Sequence, residues 1–285
     1  MGRNSAIEWT HHTFNPWWGC AKVSTACEHC YAESWAKRVG HSVWGRGASR
    51  RFFGDRHWSE PLQWNREAAA EGIRKRVFCA SMGDVFEPRK DLEGQRERLW
   101  DVIARTERLD WLLVTKRPWH VLSMVPWKGN WPDNVWLGVT VENQRCAERR
   151  IPLLVQVPAH TRFLSCEPLL GNVDLSRWVQ LSQRGECYPV DWVIAGGESG
   201  PLARPLNPEW ARSLRDQCIK GGIAFHFKQW GHWAPIHDPA SAPSSLITFV
   251  GDGEEETAMV AVGKKNAGRL LDGRRWDEFP ARGAA

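Results

Sequence analysis

Six short apolar runs divide most of this chain into units of nearly one length: RVFCASMG from residue 76, DWLLVTK from 110, VWLGVTV from 135, RFLSCEP from 162, DWVIAGGES from 191 and IAFHFKQWG from 223. Their starts fall 25 to 34 residues apart, and a strand, a crossover helix and the return to the next strand need about 30. β-branched and aromatic residues fill each run with little polar alternation, the pattern of strands buried on both faces. The stretches between them carry helical signals. Leu92, Leu99, Trp100 and Ile103 recur at helical spacing within DLEGQRERLWDVIARTER, and NPEWARSLRDQCIKGG opens with Asn207 as N-cap and Pro208 in the first turn and ends at Gly221. A further strand within HHTFNPWW, residues 11 to 18, brings the total to about seven. This alternation predicts an α/β fold with parallel strands and helices outside.

An open sheet and a barrel share that pattern. A partial (β/α) barrel of six to seven strands is favoured because polar residues follow several different strands: Asp84, Lys116, Glu142, Glu167, Glu198 and Lys228. Barrel enzymes collect their chemistry from many strand ends at one mouth. The barrel pattern ends after Trp233, so residues 1–233 are read as the barrel domain and residues 234–285 as a C-terminal extension. In that extension IHDPASAPSSL and the acidic GDGEEET read as flexible or peripheral, and KKNAGRLLDGRRWDEF, richer in apolar residues, as a packed appendage. Residues 40–58, GHSVWGRGASRRFFGDRHW, form a Gly-rich, basic and aromatic insertion with no clear element, suited to clamping an anion or to a plain surface loop.

No apolar run is long enough to cross a bilayer, and the first residues lack the apolar core of a secretory signal. The expectation is a cytoplasmic protein, in which thiols stay reduced. A formal charge of +5 is compatible with an anionic partner and falls short of a DNA-coating protein. The 19 tryptophans against 2 tyrosines are expected mostly in the core.

Three of the eight cysteines lie in one stretch, FNPWWGCAKVSTACEHCYAESWAKR, with Cys20, Cys27 and Cys30 spaced C-x6-C-x2-C. Thiolates suit zinc or iron–sulfur clusters, and a C-x2-C pair brings two sulfurs to one centre. A structural zinc wants a fourth protein ligand, which His29, His11, His12 or a remote Cys would supply. A four-iron cluster on three cysteines leaves one iron open to a small molecule. The motif follows the first strand; Cys30 opens the helix YAESWAKRV, and Gly40 is its stop. Cys79, Cys166 and Cys218 sit inside strand or helix patterns as small buried hydrophobes, and Cys146 and Cys187 are isolated.

At this loop the chain resembles the radical S-adenosylmethionine (SAM) superfamily. NPWWGC, CEHCYA, GGESG, FHFKQWG and GRLLDGRRWDEFP further resemble a phage and prophage family known for its three-cysteine motif. The superfamily's commonest spacing is C-x3-C-x2-C, so the first interval here is longer, and His29 stands where an aromatic is more usual. The resemblance implies a 4Fe-4S cluster held by Cys20, Cys27 and Cys30, with SAM on the open iron. It also implies SAM contacts from Ser81, Gly83 and Asp84 after the second strand, and from Thr140 and Glu142 after the fourth; Glu167 and Glu198, after the next two, are candidates for SAM or substrate. Lys116, Arg117, Lys228 and Gln229 would bring a substrate-binding charge to the same mouth, or pair with Glu142, Glu167 or Glu198.

GGESG lacks the dinucleotide-loop pattern, there is no P-loop lysine, and no Ser-His-Asp arrangement stands out. The leading expectation is therefore an enzyme that reductively cleaves SAM to a 5′-deoxyadenosyl radical, fed by an external electron donor, with a nucleic acid base as candidate substrate. The alternative is a zinc-stabilised, non-catalytic nucleic-acid-binding phage protein.

Overall fold

The computed structural model describes residues 2–127, 129–179, 190–200, 202–236, 247–251 and 257–281. Strands β1 (His12–Thr13), β2 (Lys75–Cys79), β3 (Leu109–Thr115), β4 (Val135–Thr140), β5 (Arg162–Cys166), β6 (Trp192–Gly196) and β7 (Ala224–Gln229) form one sheet in sequence order. β1 pairs with β2, β2 with β3, β3 with β4, β5 with β6 and β6 with β7, each in parallel. Helices α1 (Tyr31–Arg38), α2 (Asp55–Ala70), α3 (Glu93–Ala104), α4 (Val121–Met124), α5 (Gln144–Leu154), α6 (Ser176–Val179) and α7 (Pro208–Gly221) occupy the connections. This is the expected α/β fold, a partial (β/α) barrel of seven parallel strands. Every residue of β4 and β6 is buried, as the unbroken apolar runs required.

Two compact units share the chain: residues 1–139 with 150–162, and residues 140–149 with 163–285. The core of the first is aromatic. Phe14 meets Trp58, Trp64 and Trp111 edge-on at centroid distances of 5.2, 6.4 and 5.7 Å and stacks on His57 at 4.7 Å. Rings in edge-on contact add to the stabilisation from their buried area, which explains why tryptophan is concentrated here.

Three of these rings or their partners stand on α2, an element that the reading of residues 40–58 as a featureless insertion did not anticipate: residues 55–58 are its first turn. Trp58, Pro61, Trp64 and Ala68 form its buried face at helical spacing. Pro61 inside the helix obscures that period, since proline usually marks a break.

In the second unit α7 begins as read: the Asn207 side chain accepts a hydrogen bond from Glu209 N at 2.9 Å. The C-terminal segment closes the outer edge of β7. Phe227 N donates to Trp276 O, Glu278 N to Phe225 O, and Phe225 N to the Glu278 carboxylate, at 2.9, 3.2 and 3.0 Å. An open parallel edge is a site for unwanted pairing, and this strap covers it. Beyond β7 lies a three-stranded antiparallel sheet that the sequence reading missed: β8 (Trp233–Pro235), β9 (Ile247–Val250) and β10 (Thr257–Ala261), in the order β8-β10-β9. It is followed by the single turn α8 (Lys264–Ala267). Cys187, most of IHDPASAPSSL and most of GDGEEET lie outside the described residues.

Candidate functional site

In the first unit the cysteine loop hangs between the ends of β1 and β2. Gly19 forms a parallel bridge with Gly83 and donates its N–H to Met82 O at 2.8 Å, so the chain is still aligned with β2 one residue before Cys20. Gly19 has a φ of 113°, and a Cβ there would lie 2.3 Å from Val43 O and 2.7 Å from Arg50 Cδ. Only glycine fits. Cys30 then caps α1, whose Ala32 and Ala36 pack with Val43 and Met82 against Trp18, Trp35 and Trp44.

The three cysteines are free thiols, as are the other four described, Cys79, Cys146, Cys166 and Cys218. Burial pushes the Cys20 thiol up to about 12, with Arg117 opposing the rise. Burial also raises Cys30, while the N–H groups at the start of α1 and the Lys116 ammonium draw it down and Cys27 pushes it up. Cys79, Cys166 and Cys218 are fully buried and raised further, by burial alone in the case of Cys79. Among the described residues no three His, Cys, Asp or Glu side chains converge as they would around a single metal ion. His11 and His12 are engaged at the start of β1: His11 Nδ1 accepts from Arg76 N at 2.8 Å, and His12 stacks on Trp64 at 4.5 Å.

The strand-end residues of this unit form one network. Asp84, after β2, accepts at Oδ1 from Phe86 N and Thr115 Oγ1, at 3.0 and 2.8 Å, and at Oδ2 from Lys116 N and Arg117 Nη1, at 3.2 and 2.7 Å. Those four bonds use the lone-pair directions of a carboxylate. Asp84, a candidate SAM contact, is thus held by four donors of its own unit. Arg117 also donates to Cys20 Sγ at 3.5 Å and to Ala21 O at 2.7 Å. This candidate substrate residue is buried, with its head against the Cys20 sulfur. Ser81 exchanges hydrogen bonds with the Asn15 side chain, and its carbonyl accepts from Tyr31 Oη at 3.1 Å.

Asn15, Arg50 and Glu87 are parts of this site that the sequence reading missed. Asn15 Oδ1 accepts from Met82 N at 2.7 Å, fixing the turn that holds Ser81 and Gly83. Arg50, grouped in the sequence with loop residues suited to an anion, has a fully buried side chain. It binds Glu87 through Nε and Nη2, at 3.1 and 2.7 Å, and the carbonyls of Val43, Ala48 and Gly45. Glu87 in turn accepts from Ala21 N at 3.1 Å, and Gly45 N donates to Cys20 O at 2.9 Å. The insertion is thus packed onto the cysteine loop. Arg51 lies over the rings of Trp18 and Phe53, 4.4 and 5.1 Å from their centroids, and Arg46 and Phe52 are exposed.

The second unit holds the remaining candidates. Lys228 Nζ donates to both oxygens of Glu167 at 2.7 Å, and Gln229 Nε2 reaches Glu167 Oε1 at 3.2 Å and Ser199 Oγ at 3.3 Å. This is the pairing weighed against a free substrate-binding cation. Glu198 is buried and gripped by Arg204, whose backbone N–H, Nε and Nη2 donate to it at 2.9, 2.9 and 2.6 Å. Gly197 allows β6 to approach β7, since a Cβ would lie 1.9 Å from Trp230 O. Thr140 and Glu142 are buried, and the Glu142 carbonyl accepts from Leu170 N at 2.7 Å.

A family model described as "Protein of unknown function (DUF5131)" matches residues 4–280. No curated protein matches. Solved structures with similarity are mutants of spore photoproduct lyase. A cysteine-to-alanine mutant with dinucleoside spore photoproduct is 12% identical, at 92% coverage of this chain and 71% of that one and a TM-score of 0.48. A tyrosine-to-phenylalanine mutant is 11% identical, at 91% and 73% coverage and a TM-score of 0.44.

Proposed function

This chain belongs to the DUF5131 family, and we propose that it is a radical SAM enzyme whose substrate is a nucleic acid base. One observation carries the reading: three free thiols stand on one short loop between the first strand of a parallel α/β sheet and its helix, with Lys116 and Arg117 from the end of β3 beside two of them. That donor set fits an iron–sulfur cluster held by Cys20, Cys27 and Cys30. Soft sulfur ligands are present, and nearby cations offset the charge of the thiolates. When bound, the cluster and SAM supply one-electron cleavage of the sulfonium and a 5′-deoxyadenosyl radical that takes hydrogen from the substrate.

The chain's own residues hold and orient. Gly19 lets the loop turn beneath residues 43–50, and the Arg50–Glu87 pair fastens that cover, which keeps water from the buried side of the cysteines. Asn15 and Tyr31 fix the Ser81–Gly83 turn, whose backbone is the candidate seat for SAM in the first unit. Glu167, Glu198, Lys228 and Gln229 are assigned to substrate or SAM through the charge they hold in paired form. Support for a nucleic acid substrate comes from the net charge of +5 and from exposed Arg46 and Phe52 on the loop over the cysteines. The stretches NPWWGC, CEHCYA and GGESG, which resemble phage and prophage three-cysteine-motif proteins, support kinship with them. In this reading residues 1–233 carry the chemistry in the cytoplasm, residues 234–285 are an extension, and electrons arrive from an external donor.

Anaerobic purification and reconstitution test the proposal. The expected product is a brown protein with iron and acid-labile sulfide that, given SAM and dithionite, forms 5′-deoxyadenosine and methionine. A colourless protein with about one zinc overturns the reading, as does a reduced, iron-loaded protein that yields no 5′-deoxyadenosine.

A further inference from the structure

The Arg117 guanidinium is where three strand ends of the first unit meet. Its Nη1 reaches Asp84 Oδ2, after β2, and Cys20 Sγ, after β1, while Nη2 reaches Ala21 O; Arg117 itself follows β3. The head cannot swing freely. Asp84 binds the side chain of Thr115, the N–H of Lys116 and the side chain of Arg117, and Arg117 N donates to Thr115 Oγ1 at 2.8 Å. One carboxylate thus fixes three consecutive residues and aims the last of them at a sulfur.

We propose that Arg117, aimed by Asp84, is a positioning residue that donates to the Cys20 sulfur and raises the reduction potential of a cluster bound there. This rests on the cluster reading above. The physical reason is charge. Each electron added to an iron–sulfur cluster makes the assembly of iron, sulfide and thiolate more negative, so a fixed cation hydrogen-bonded to a ligand sulfur stabilises the reduced form more than the oxidised one. Arginine suits that role because it stays charged when buried and its forked head serves Asp84 and Cys20 at once. A substrate-binding arginine would instead present its head to solvent, and Arg117 is only 5% exposed.

The test compares the parent protein with Arg117→Gln and Arg117→Lys, each reconstituted without air. Iron and sulfide are counted per chain, and the cluster is titrated with dithionite in the absence of SAM, the reduced form being followed by electron paramagnetic resonance. Dithionite supplies the one electron that the cluster takes up. In Arg117→Gln the ratio of reduced to oxidised cluster at a fixed ambient potential is expected to fall about tenfold, which for a one-electron couple is about 59 mV. Arg117→Lys keeps a counter-charge for Asp84 and so protects the fold, but it loses the fork; its shift is expected in the same direction and smaller. Should Arg117→Gln fail to fold, Arg117→Lys decides. A variant with full iron and an unchanged potential overturns the proposal and leaves the cluster reading intact. A parent protein that assembles no cluster overturns both.

Discussion

The ends of β3 and β7 both carry a cation beside a carboxylate, and the two pairs are finished differently. At β7, Lys228 gives its ammonium to both oxygens of Glu167, and Gln229 closes the remaining side. At β3, Asp84 is saturated by its own unit, but Arg117 keeps donors for Cys20 and Ala21. A lysine is a point charge that one carboxylate can satisfy, whereas an arginine fork can be held by a carboxylate and still serve a second acceptor. The first arrangement locks a strand end; the second passes a fixed charge on to a sulfur.

The sharpest way to break this contrast is to remove the sulfurs. Cys20→Ala, Cys27→Ala or Cys30→Ala should abolish assembly of an oxygen-sensitive cluster, measured as iron and sulfide per chain. Cys79→Ala and Cys218→Ala, in fully buried apolar surroundings, should retain it. Full cluster in Cys20→Ala would show that the β3 end has no ligand to serve.

Next in size is the ion pair beneath the cysteine loop. Because the Arg50 side chain is fully buried, Glu87→Ala leaves an uncompensated charge, and about 3–5 kcal/mol of stability should be lost in denaturant unfolding. The same change should leave any affinity for nucleic acid with its original salt slope, since the Arg50 head is turned inward onto Glu87 and backbone carbonyls. A loss under 1 kcal/mol would mean the insertion is not fastened to the cysteine loop as described.

His226 sharpens the β7 side through pH. Burial, and then Arg269, hold it down to about 4, well below the usual 6.5. Between those values the unfolded chain binds a proton that the folded chain does not, so stability rises with pH across roughly 4 to 6.5 and is level above it. Acidification through that window should cost about 3 kcal/mol from this residue. His226→Phe should flatten that part of the pH–stability curve, and an unchanged slope would place the acid sensitivity elsewhere.

The smallest effect belongs to the β7 pair itself. Lys228→Met strips Glu167 of a charged donor in a partly buried site and should cost about 1.5–3 kcal/mol while iron content stays full. Lost iron in this variant would erase the distinction between the two strand ends.

How much of this was legible beforehand depends on how far apart in the chain the partners lie. The strand period placed the starts of β2 through β7 within a residue, and the Asn207 cap appeared as read. Both are local signals: a buried parallel strand must be apolar along its own length, and a cap must lie within a turn of the helix it serves. Helix α2 escaped because Pro61 interrupts a periodicity that its buried tryptophans otherwise satisfy. The sheet β8-β10-β9 escaped because it is short and antiparallel, off the period that organises the rest.

By itself, then, the sequence determined the parallel α/β scaffold and the crowding of three thiols at its first loop, since backbone pairing, helix phase and ligand spacing are written within a few residues of one another. Tertiary structure alone decided which charges those thiols meet. Arg50 finds Glu87 across 37 positions, Arg117 finds Asp84 across 33 and Cys20 across 97. An ion pair leaves no local mark on the chain, because either member would suit many partners and only burial beside one of them makes the choice.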